Sequence, residues 1–330
     1  MRTGEDILEI RALVLREIRD FFDSQGYIEV FTSPLLKHPN LDPNIGVFKV
    51  ENHPLYLHTS PEYPMKKLLA LQRRSIYQLA PVFRDEAEDP RHRKSFLMLE
   101  WYGVNHTYLR LMEEAEGLIT HLAEVCGQGN TVNRLDTTID LTPPWPRIKV
   151  AEAFMKWAGV EIDGLRNESG QRAVFEEKGL SFYPGDPWET RFNMLFVHCV
   201  EPRIRELGKP VFLYDYPVEV GLMAASHPEN PTLVQRVELF AGDLELMNGY
   251  TELTDPAEQL RRWKEQQSIP IEGDLGGEPG MVEKGDVGVD RELLDALPHL
   301  GLVAGAALGV ERLLMLLLDA EDISQVSLSE

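Results

Sequence analysis

The segment IYQLAPVFRDEAEDPRHRKSFLMLEWY, which begins at Ile76, contains most of the residues with an evident chemical use. It predicts two strands, Ile76–Glu86 and Ser95–Val104, joined by a charged loop into a long antiparallel hairpin. Because alternate side chains of a strand share a face, one face gathers Arg84, Glu86, Phe96, Met98, Glu100 and Tyr102. Since buried unpaired charges are costly, this face is either a polar site or a solvated surface. The second alternative leaves two aromatic side chains exposed.

A second predicted hairpin, with a two-residue turn, holds two carboxylates in otherwise apolar strands. Glu238 and Glu245 can approach each other across this strand pair, where they repel unless a cation lies between them. A divalent ion such as Mg²⁺, which takes oxygen ligands, is one explanation. The other is one exposed and one salt-bridged carboxylate. Asn248 and Glu252 have the opposite strand parity to Glu245, so a single site for all of them requires an irregular strand.

A third segment, GAALGVERLL from Gly305 to Leu314, places small residues before a helix whose first turn carries Glu311 and Arg312. Such an entry lets a ligand or a neighbouring backbone approach closely, although close packing alone produces the same pattern. An arginine in a first helical turn opposes the helix dipole, which favours another role for Arg312.

The elements that position these segments follow from hydrophobic periodicity. The predicted helices are Asp6–Phe22, Pro64–Leu71, Leu109–Val125, most of Ala151–Glu206, Glu258–Gln267 and Gly309–Leu318. The predicted strands outside the first hairpin are Tyr27–Phe31, Gln235–Ala241 and Leu244–Leu253, and Gly273–Gly288 is predicted as a glycine-rich loop. Because helices alternate with hairpins, we expect an α+β fold with a mainly antiparallel sheet flanked by helices, in one domain over residues 1–330.

Composition excludes several other classes of protein. A formal net charge of −21 argues against tRNA as a partner, since phosphate-binding surfaces are basic. Neither GxGxxG nor GxxxxGK[ST] occurs, so ATP would need a different kind of site. The two cysteines lack the CxxC spacing of a zinc site. The longest aliphatic run, Leu313–Leu318, is far shorter than the ~20 residues of a membrane span, so we expect a cytoplasmic protein without membrane contact.

Taken in order, these segments resemble the signature motifs of class II aminoacyl-tRNA synthetases, and within that class the lysyl enzymes. GYIEVFTSP resembles motif 1, FRDE…RH…F…EWY resembles motif 2, and GAALGVER resembles motif 3. TSPE resembles the amino-acid-binding loop, and VELFAGDLELMNGYTEL the lysyl-specific strand pair. The resemblance runs from about residue 5 to residue 318. It departs from the family pattern at Phe31 and at Arg93-Lys94-Ser95, and the second departure implies a different contact between the motif 2 loop and the acceptor.

The resemblance implies roles for the matching positions. On the ATP side, Arg84 would hold the α-phosphate and the reacting carboxylate, Glu86 would contact the adenine, and His92 would bind the distal phosphates. Phe96 and Arg312 would stack on the adenine ring. Glu238 and Glu245 would bind Mg²⁺. On the amino-acid side, Glu62 would bind the amine near the reacting carboxylate. The distal ammonium would be bound by Glu100, Tyr102 and Glu252, with Asn248 nearby. A diamino substrate needs a carboxylate at each end, which agrees with these roles.

The motif 1 helix begins so early that we expect no anticodon-binding domain. In this the chain is similar to shortened paralogues of lysyl-tRNA synthetase, which attach (R)-β-lysine to a lysine of translation elongation factor P. Ser60 and Ala307 favour that group and would line the substrate pocket, because tRNA-charging enzymes tend to have alanine and glycine there. The implied function is ATP-dependent activation of (R)-β-lysine or lysine and its transfer to elongation factor P by a homodimer. The alternatives are a lysyl-adenylate-forming enzyme that charges tRNA or another acceptor, and a non-catalytic amino-acid-binding regulator.

Overall fold

The computed structural model describes residues 4–40, 42, 45–267 and 289–328, so the predicted loop Gly273–Gly288 lies outside the described residues. The α-helices in these ranges are α1 (Gly4–Ser24), α2 (Glu62–Gln72), α3 (Tyr108–Val125), α4 (Val150–Ala153), α5 (Glu168–Lys178), α6 (Trp188–Leu195), α7 (Glu201–Arg205), α8 (Pro256–Gln267), α9 (Arg291–Ala296) and α10 (Val310–Leu318). The strands are β1 (Ile28–Glu29), β2 (Leu35–Leu36), β3 (Tyr56–Leu57), β4 (Ile76–Phe83), β5 (Ser95–Val104), β6 (Thr131–Arg134), β7 (Thr137–Asp140), β8 (Arg147–Lys149), β9 (Val211–Pro217), β10 (Leu233–Ala241), β11 (Leu244–Thr251) and β12 (Val303–Gly309).

Within the described ranges, eight strands form one sheet in the order β1-β4-β5-β12-β11-β10-β9-β8. The pairs β1–β4 and β8–β9 are parallel, and the other neighbours are antiparallel. Both predicted hairpins are present, β4–β5 and β10–β11. The expected α+β fold with a mainly antiparallel sheet is therefore confirmed.

The structure differs from the sequence-based expectation at several strands, and β2, β3, β6, β7 and β8 were not predicted. The first hairpin strand ends at Phe83 rather than Glu86, because the amide of Asp85 donates to the carbonyl of Gly46 instead of continuing the ladder. The predicted strand Tyr27–Phe31 shortens to Ile28–Glu29. Strand β9 was missed, because its continuous run VFLYDYP lacks the alternation of a half-exposed strand. It is buried along most of its length in the interior of the sheet, where such a run is expected.

The main hydrophobic core lies between the sheet and helices α1, α3 and α10. Leu99 and Trp101 of β5 are fully buried there, as strand parity predicts. A second core packs the helical region 150–204 against β9. The side chains on the other face of β5 line a cavity, together with residues of β11 and β12. Among the described residues, none of the helices is both long and apolar enough to cross a membrane.

Candidate active site

One cavity brings together most of the residues that the sequence singled out. Its lining includes Ser60, Glu62, Arg84, Glu86, His92, Phe96, Glu100, Tyr102, Glu245, Asn248, Ala307 and Arg312. Two predicted residues lie behind its wall. Glu238 lines an adjoining cavity that shares Glu245 and Arg312, and Glu252 is buried beside the first cavity without lining it. Of the two alternatives that the sequence left open for this face of β5, the structure therefore supports the polar site rather than the solvated surface.

Glu100 is held by two neutral donors at one end of the cavity. The hydroxyl of Ser60 donates to its Oε2 at 2.6 Å, and the hydroxyl of Tyr102 donates to its Oε1 at 2.6 Å. Burial raises the pKa of Glu100 to about 7, with repulsion from Glu62 adding to the shift. Ala307 lies directly opposite Glu100 in the β5–β12 pair. Ser60 and Ala307 thus both border this carboxylate.

Glu62 and Glu252 share a buried cation beside Glu100. The Nζ of Lys66 lies 2.6 Å from Oε1 of Glu62 and 2.5 Å from Oε2 of Glu252. The hydroxyl of Tyr250 also donates to Glu62. Burial lowers the pKa of Lys66, but attraction to Glu252 and Glu62 outweighs it and raises the pKa overall. We call the group Glu62, Lys66, Glu100, Tyr102, Tyr250 and Glu252 the acidic pocket.

Glu252 retains an unsatisfied oxygen at the edge of the acidic pocket. Its Oε1 has no hydrogen-bond partner among the described residues, and burial raises the pKa of the side chain to about 8. A side chain at Gly305 would place its Cβ 2.9 Å from this oxygen and 2.2 Å from the ring of Tyr102. The glycine therefore keeps both groups close to the cavity. A buried carboxylate oxygen of this kind needs a donor, which an entering ammonium group can supply.

Arg84 and Phe96 line another part of the same cavity. The guanidinium of Arg84 lies 5.3 Å above the Phe96 ring, and its Nε donates to the carbonyl of Thr59 at 3.4 Å. Burial lowers the pKa of Arg84, and the nearby Glu86 only partly opposes that effect. Because arginine stays protonated in proteins, this charge is available to an anion entering the cavity.

Arg312 and His92 are in direct contact. Nη2 of Arg312 lies 2.7 Å from Nε2 of His92, whose Nδ1 lies 2.8 Å from Oδ1 of Asp89. Since a guanidinium only donates, Nε2 accepts and Nδ1 carries the proton. Nη1 of Arg312 donates to the carbonyl of Glu245. Arg312 is thus held by neighbouring groups despite its position in the first turn of α10.

Glu238 and Glu245 line one cavity, but they are not directly opposite each other in the β10–β11 pair. Asn248 lies opposite Glu238, and Phe240 lies opposite Glu245. The register changes between Leu239 and Phe240, so Leu246 has no counterpart on β10. This bulge is the irregularity that the sequence required, and it lets both Glu245 and Asn248 line the cavity.

Glu238 is satisfied by protein groups that the sequence analysis did not assign. Tyr216 donates to its Oε2 at 2.5 Å, and Arg236 lies 2.5 Å from its Oε1. Burial raises the pKa of Glu238, Arg236 opposes this, and repulsion from Glu245 adds to it. The described residues contain no group of three or more His, Cys, Asp or Glu side chains that could hold a metal ion. Two neighbouring carboxylates that line one cavity nevertheless fit an ion such as Mg²⁺, which takes several of its ligands from phosphates and water.

Lys66, Tyr250 and Arg236 were the main omissions of the sequence analysis. Lys66 follows Glu62 by one helical turn, and a pair at that spacing is a readable signal. Tyr250 shares strand parity with Asn248 and Glu252, and Arg236 shares parity with Glu238. These signals show which side chains share a face, but not that the face is buried.

Comparison with known proteins agrees with this geometry. The profile of the family described as tRNA synthetases class II (D, K and N) matches residues 2–328, and the chain belongs to this family. A lysine–tRNA ligase of Moorella thermoacetica is 32% identical over 96% of this chain and 63% of its own length. The chain thus spans less than two thirds of that protein.

Two relatives are matched along nearly their whole length. A protein of Aquifex aeolicus named elongation factor P–(R)-beta-lysine ligase homolog is 35% identical, over 96% of this chain and 97% of its own. The elongation factor P–(R)-beta-lysine ligase of Vibrio cholerae is 34% identical, over 97% of this chain and 94% of its own. The expected kinship with shortened relatives of the lysyl enzymes is confirmed.

Proposed function

We propose that this protein activates (R)-β-lysine, or lysine, with ATP and transfers it to a lysine of translation elongation factor P. The acidic pocket is the observation that carries the proposal. Its carboxylates suit a substrate with two ammonium groups, and it opens into the same cavity as Arg84 and Arg312, which suit phosphate groups. One cavity thus offers complementary charge to both substrates of an adenylation reaction.

In the first step, a carboxylate oxygen of the amino acid attacks the α-phosphorus of ATP in line. The new bond joins that oxygen to phosphorus, and pyrophosphate leaves with the electrons of the broken bond. Arg84 would hold the reacting oxygens, and Phe96 with Arg312 would hold the adenine ring. His92 would bind the distal phosphates, and Glu86 would contact the adenine. Catalysis would rest on positioning and charge stabilisation, since no side chain acts as a nucleophile.

The substrate's two amines would be bound by the acidic pocket. Glu62 would take the amine near the reacting carboxylate, while Glu100, Tyr102 and Glu252 would take the distal ammonium, with Asn248 nearby. Glu238 and Glu245 would hold Mg²⁺, which neutralises phosphate charge when bound. Arg236 already neutralises Glu238, so Glu245 would be the more available ligand.

In the second step, the ε-amine of the acceptor lysine attacks the carbonyl carbon of the adenylate. An amide bond forms, AMP leaves, and the amine loses a proton. The acceptor is proposed from the two relatives matched over 97% and 94% of their length, of which the second is named an elongation factor P–(R)-beta-lysine ligase and the first a homolog of it. The acidic charge of −21 also favours a protein acceptor over tRNA.

The second candidate is a lysyl-adenylate-forming enzyme that charges tRNA. It is favoured by the lysine–tRNA ligases among the relatives, although this chain covers only 63% of the length of the one from Moorella thermoacetica. A non-catalytic amino-acid-binding regulator is the third. The presence of Arg84, Phe96, Glu245 and Arg312 around one cavity argues against it, because a regulator has no need of phosphate-binding groups.

We further propose that the protein acts as a homodimer in the cytoplasm, where its proposed acceptor functions. Large apolar side chains of the motif 1 region are exposed: Phe31 at 83%, Leu8 at 54% and Leu35 at 43%. Exposed apolar side chains that form one patch are typical of protein–protein interfaces, and we propose that these three contribute to such a patch. A second copy of the chain would cover them.

Pyrophosphate exchange into ATP, measured with (R)-β-lysine and with L-lysine, tests the first step. Intact mass of elongation factor P after incubation with the enzyme, ATP and the amino acid tests the second. We expect exchange with (R)-β-lysine and a mass gain equal to one lysyl group. The control is elongation factor P with its acceptor lysine replaced by arginine. Charging of tRNA without any mass gain would select the second candidate, and binding of ATP without exchange would select the regulator.

A further inference from the structure

Lys66 is a fully buried cation in the wall of the acidic pocket. Its side chain has 0% exposure, and its Nζ bridges Glu62 of α2 and Glu252, which follows β11. Replacing a buried ion pair with apolar groups is often neutral or stabilising. Stability alone therefore gives little reason for a lysine at this position.

The groups around Lys66 define a charge balance. Glu62 comes from α2, Glu100 and Tyr102 from β5, and Tyr250 with Glu252 from the β11 side. The Tyr250 ring also lies 5.2 Å from the ammonium. Lys67, the next residue of α2, pairs instead with Asp290 and Glu292, which are separate from the acidic pocket. With its acids ionised, the acidic pocket thus combines three negative charges with one positive charge.

That net charge of −2 balances the +2 charge of two ammonium groups. We propose that Lys66 is a positioning residue that fixes Glu62 and Glu252 and matches the charge of the acidic pocket to a substrate with two ammonium groups. The inference rests on the proposed function, since it concerns the amino-acid site of that reaction. Without Lys66, the three carboxylates of the acidic pocket would face two cations, and one of these carboxylates would remain protonated over a wider pH range.

The direct test compares Lys66→Met with a matched control, Lys67→Met, in the full-length chain. Lys67 forms its ion pairs outside the acidic pocket, with Asp290 and Glu292. Pyrophosphate exchange is measured against amino-acid concentration, ATP concentration and pH. For Lys66→Met we expect the amino-acid KM to rise at least about tenfold and the ATP KM to stay within about twofold. The acid limb of kcat/KM should move up by about one pH unit, because a carboxylate loses its counter-charge. The control should match the wild type.

A compensating variant separates charge matching from a structural role. Glu252→Gln leaves a net charge of one negative, whereas Lys66→Met/Glu252→Gln restores two negatives from Glu62 and Glu100. We therefore expect the double variant to bind the diamino acid more tightly than Glu252→Gln and to have the acid limb of the wild type. The double variant also has no third carboxylate in the acidic pocket that lacks a counter-charge, so it remains informative if Lys66→Met does not fold.

The possible outcomes separate the two proposals. If the wild type activates no diamino acid, the proposed function is wrong. If the wild type is active but Lys66→Met leaves the acid limb in place, the inference is wrong. The inference is equally overturned if the double variant binds no better than Glu252→Gln. Parallel rises in both KM values would indicate a general loss of structure instead of charge matching.

Discussion

The hydroxyl of Ser60 donates a 2.6 Å hydrogen bond to Oε2 of Glu100, a carboxylate that is 2% exposed. This bond joins the loop before α2 to the cavity face of β5. It also stabilises the ionised form of Glu100 and so opposes the rise in pKa that burial causes.

Ser60→Ala should weaken binding of (R)-β-lysine more than binding of L-lysine. The variant removes a donor to a charged group, which is worth about 1.5–3 kcal/mol, or about tenfold or more in KM. Ala307→Gly should shift the preference in the same direction, because residue 307 lies opposite Glu100. Pyrophosphate exchange with each amino acid measures the ratio. An unchanged ratio in both variants would exclude these residues as determinants of preference.

Arg84→Ala should lower pyrophosphate exchange at least about 100-fold. The guanidinium of Arg84 lies 5.3 Å from the centre of the Phe96 ring and lines the cavity, and loss of one preorganised group at developing charge typically costs that much. Arg74→Ala is the control, because Arg74 is exposed outside the cavity. Thermal unfolding of both variants would separate loss of activity from loss of fold. Near-normal exchange in Arg84→Ala would refute the assignment of the phosphate site.

Glu245→Gln should raise the Mg²⁺ concentration for half-maximal exchange at least about tenfold. The substitution removes a carboxylate charge from the cavity, and tenfold corresponds to about 1.4 kcal/mol of binding free energy. Glu238→Gln should also raise it, but less, since Arg236 already neutralises Glu238. Glu229→Gln, at an exposed residue, is the control. A Mg²⁺ requirement unchanged in Glu245→Gln would place the ion elsewhere.

Binding of the diamino acid should strengthen as pH rises through about 7 to 8. Burial raises the pKa of Glu100 to about 7 and that of Glu252 to about 8, from an ordinary value of 4.5. In this window the free folded protein binds more protons than the unfolded chain, so these groups lower its stability as pH rises. A ligand with two ammonium groups offsets that loss. The increase in Tm on adding (R)-β-lysine should therefore be larger at pH 8.5 than at pH 6, and a pH-independent increase would contradict the proposed site.

Phe31→Asp should convert the proposed homodimer into a monomer. A carboxylate at a residue that is 83% exposed costs the free monomer little, but would be buried without a partner in an interface. Light scattering during gel filtration measures the mass of each species. Leu71→Asp is a matched control, at a side chain that is 79% exposed at the end of α2. A wild-type monomer, or a dimer that persists in Phe31→Asp, would count against this interface.

The sequence by itself determined which side chains share a face and the order of the main segments. The period-two alternation of β5 placed Glu100 and Tyr102 opposite Trp101, and the structure agrees because strand geometry is local. The same locality predicted the two hairpins and the need for an irregular strand, which only the structure locates at Leu246. It did not reveal β9, whose buried run carries no alternation.

Only the tertiary structure decided which of these charges meet. The pairing of Lys66 with Glu252 joins residues far apart in the chain, and the bond from Tyr216 to Glu238 depends on the order of neighbouring strands. Strand register then placed Asn248, rather than Glu245, opposite Glu238. Such contacts arise from long-range packing, which side-chain spacing cannot encode. The structure therefore turned a set of plausible carboxylates into a buried pocket with a defined balance of charge.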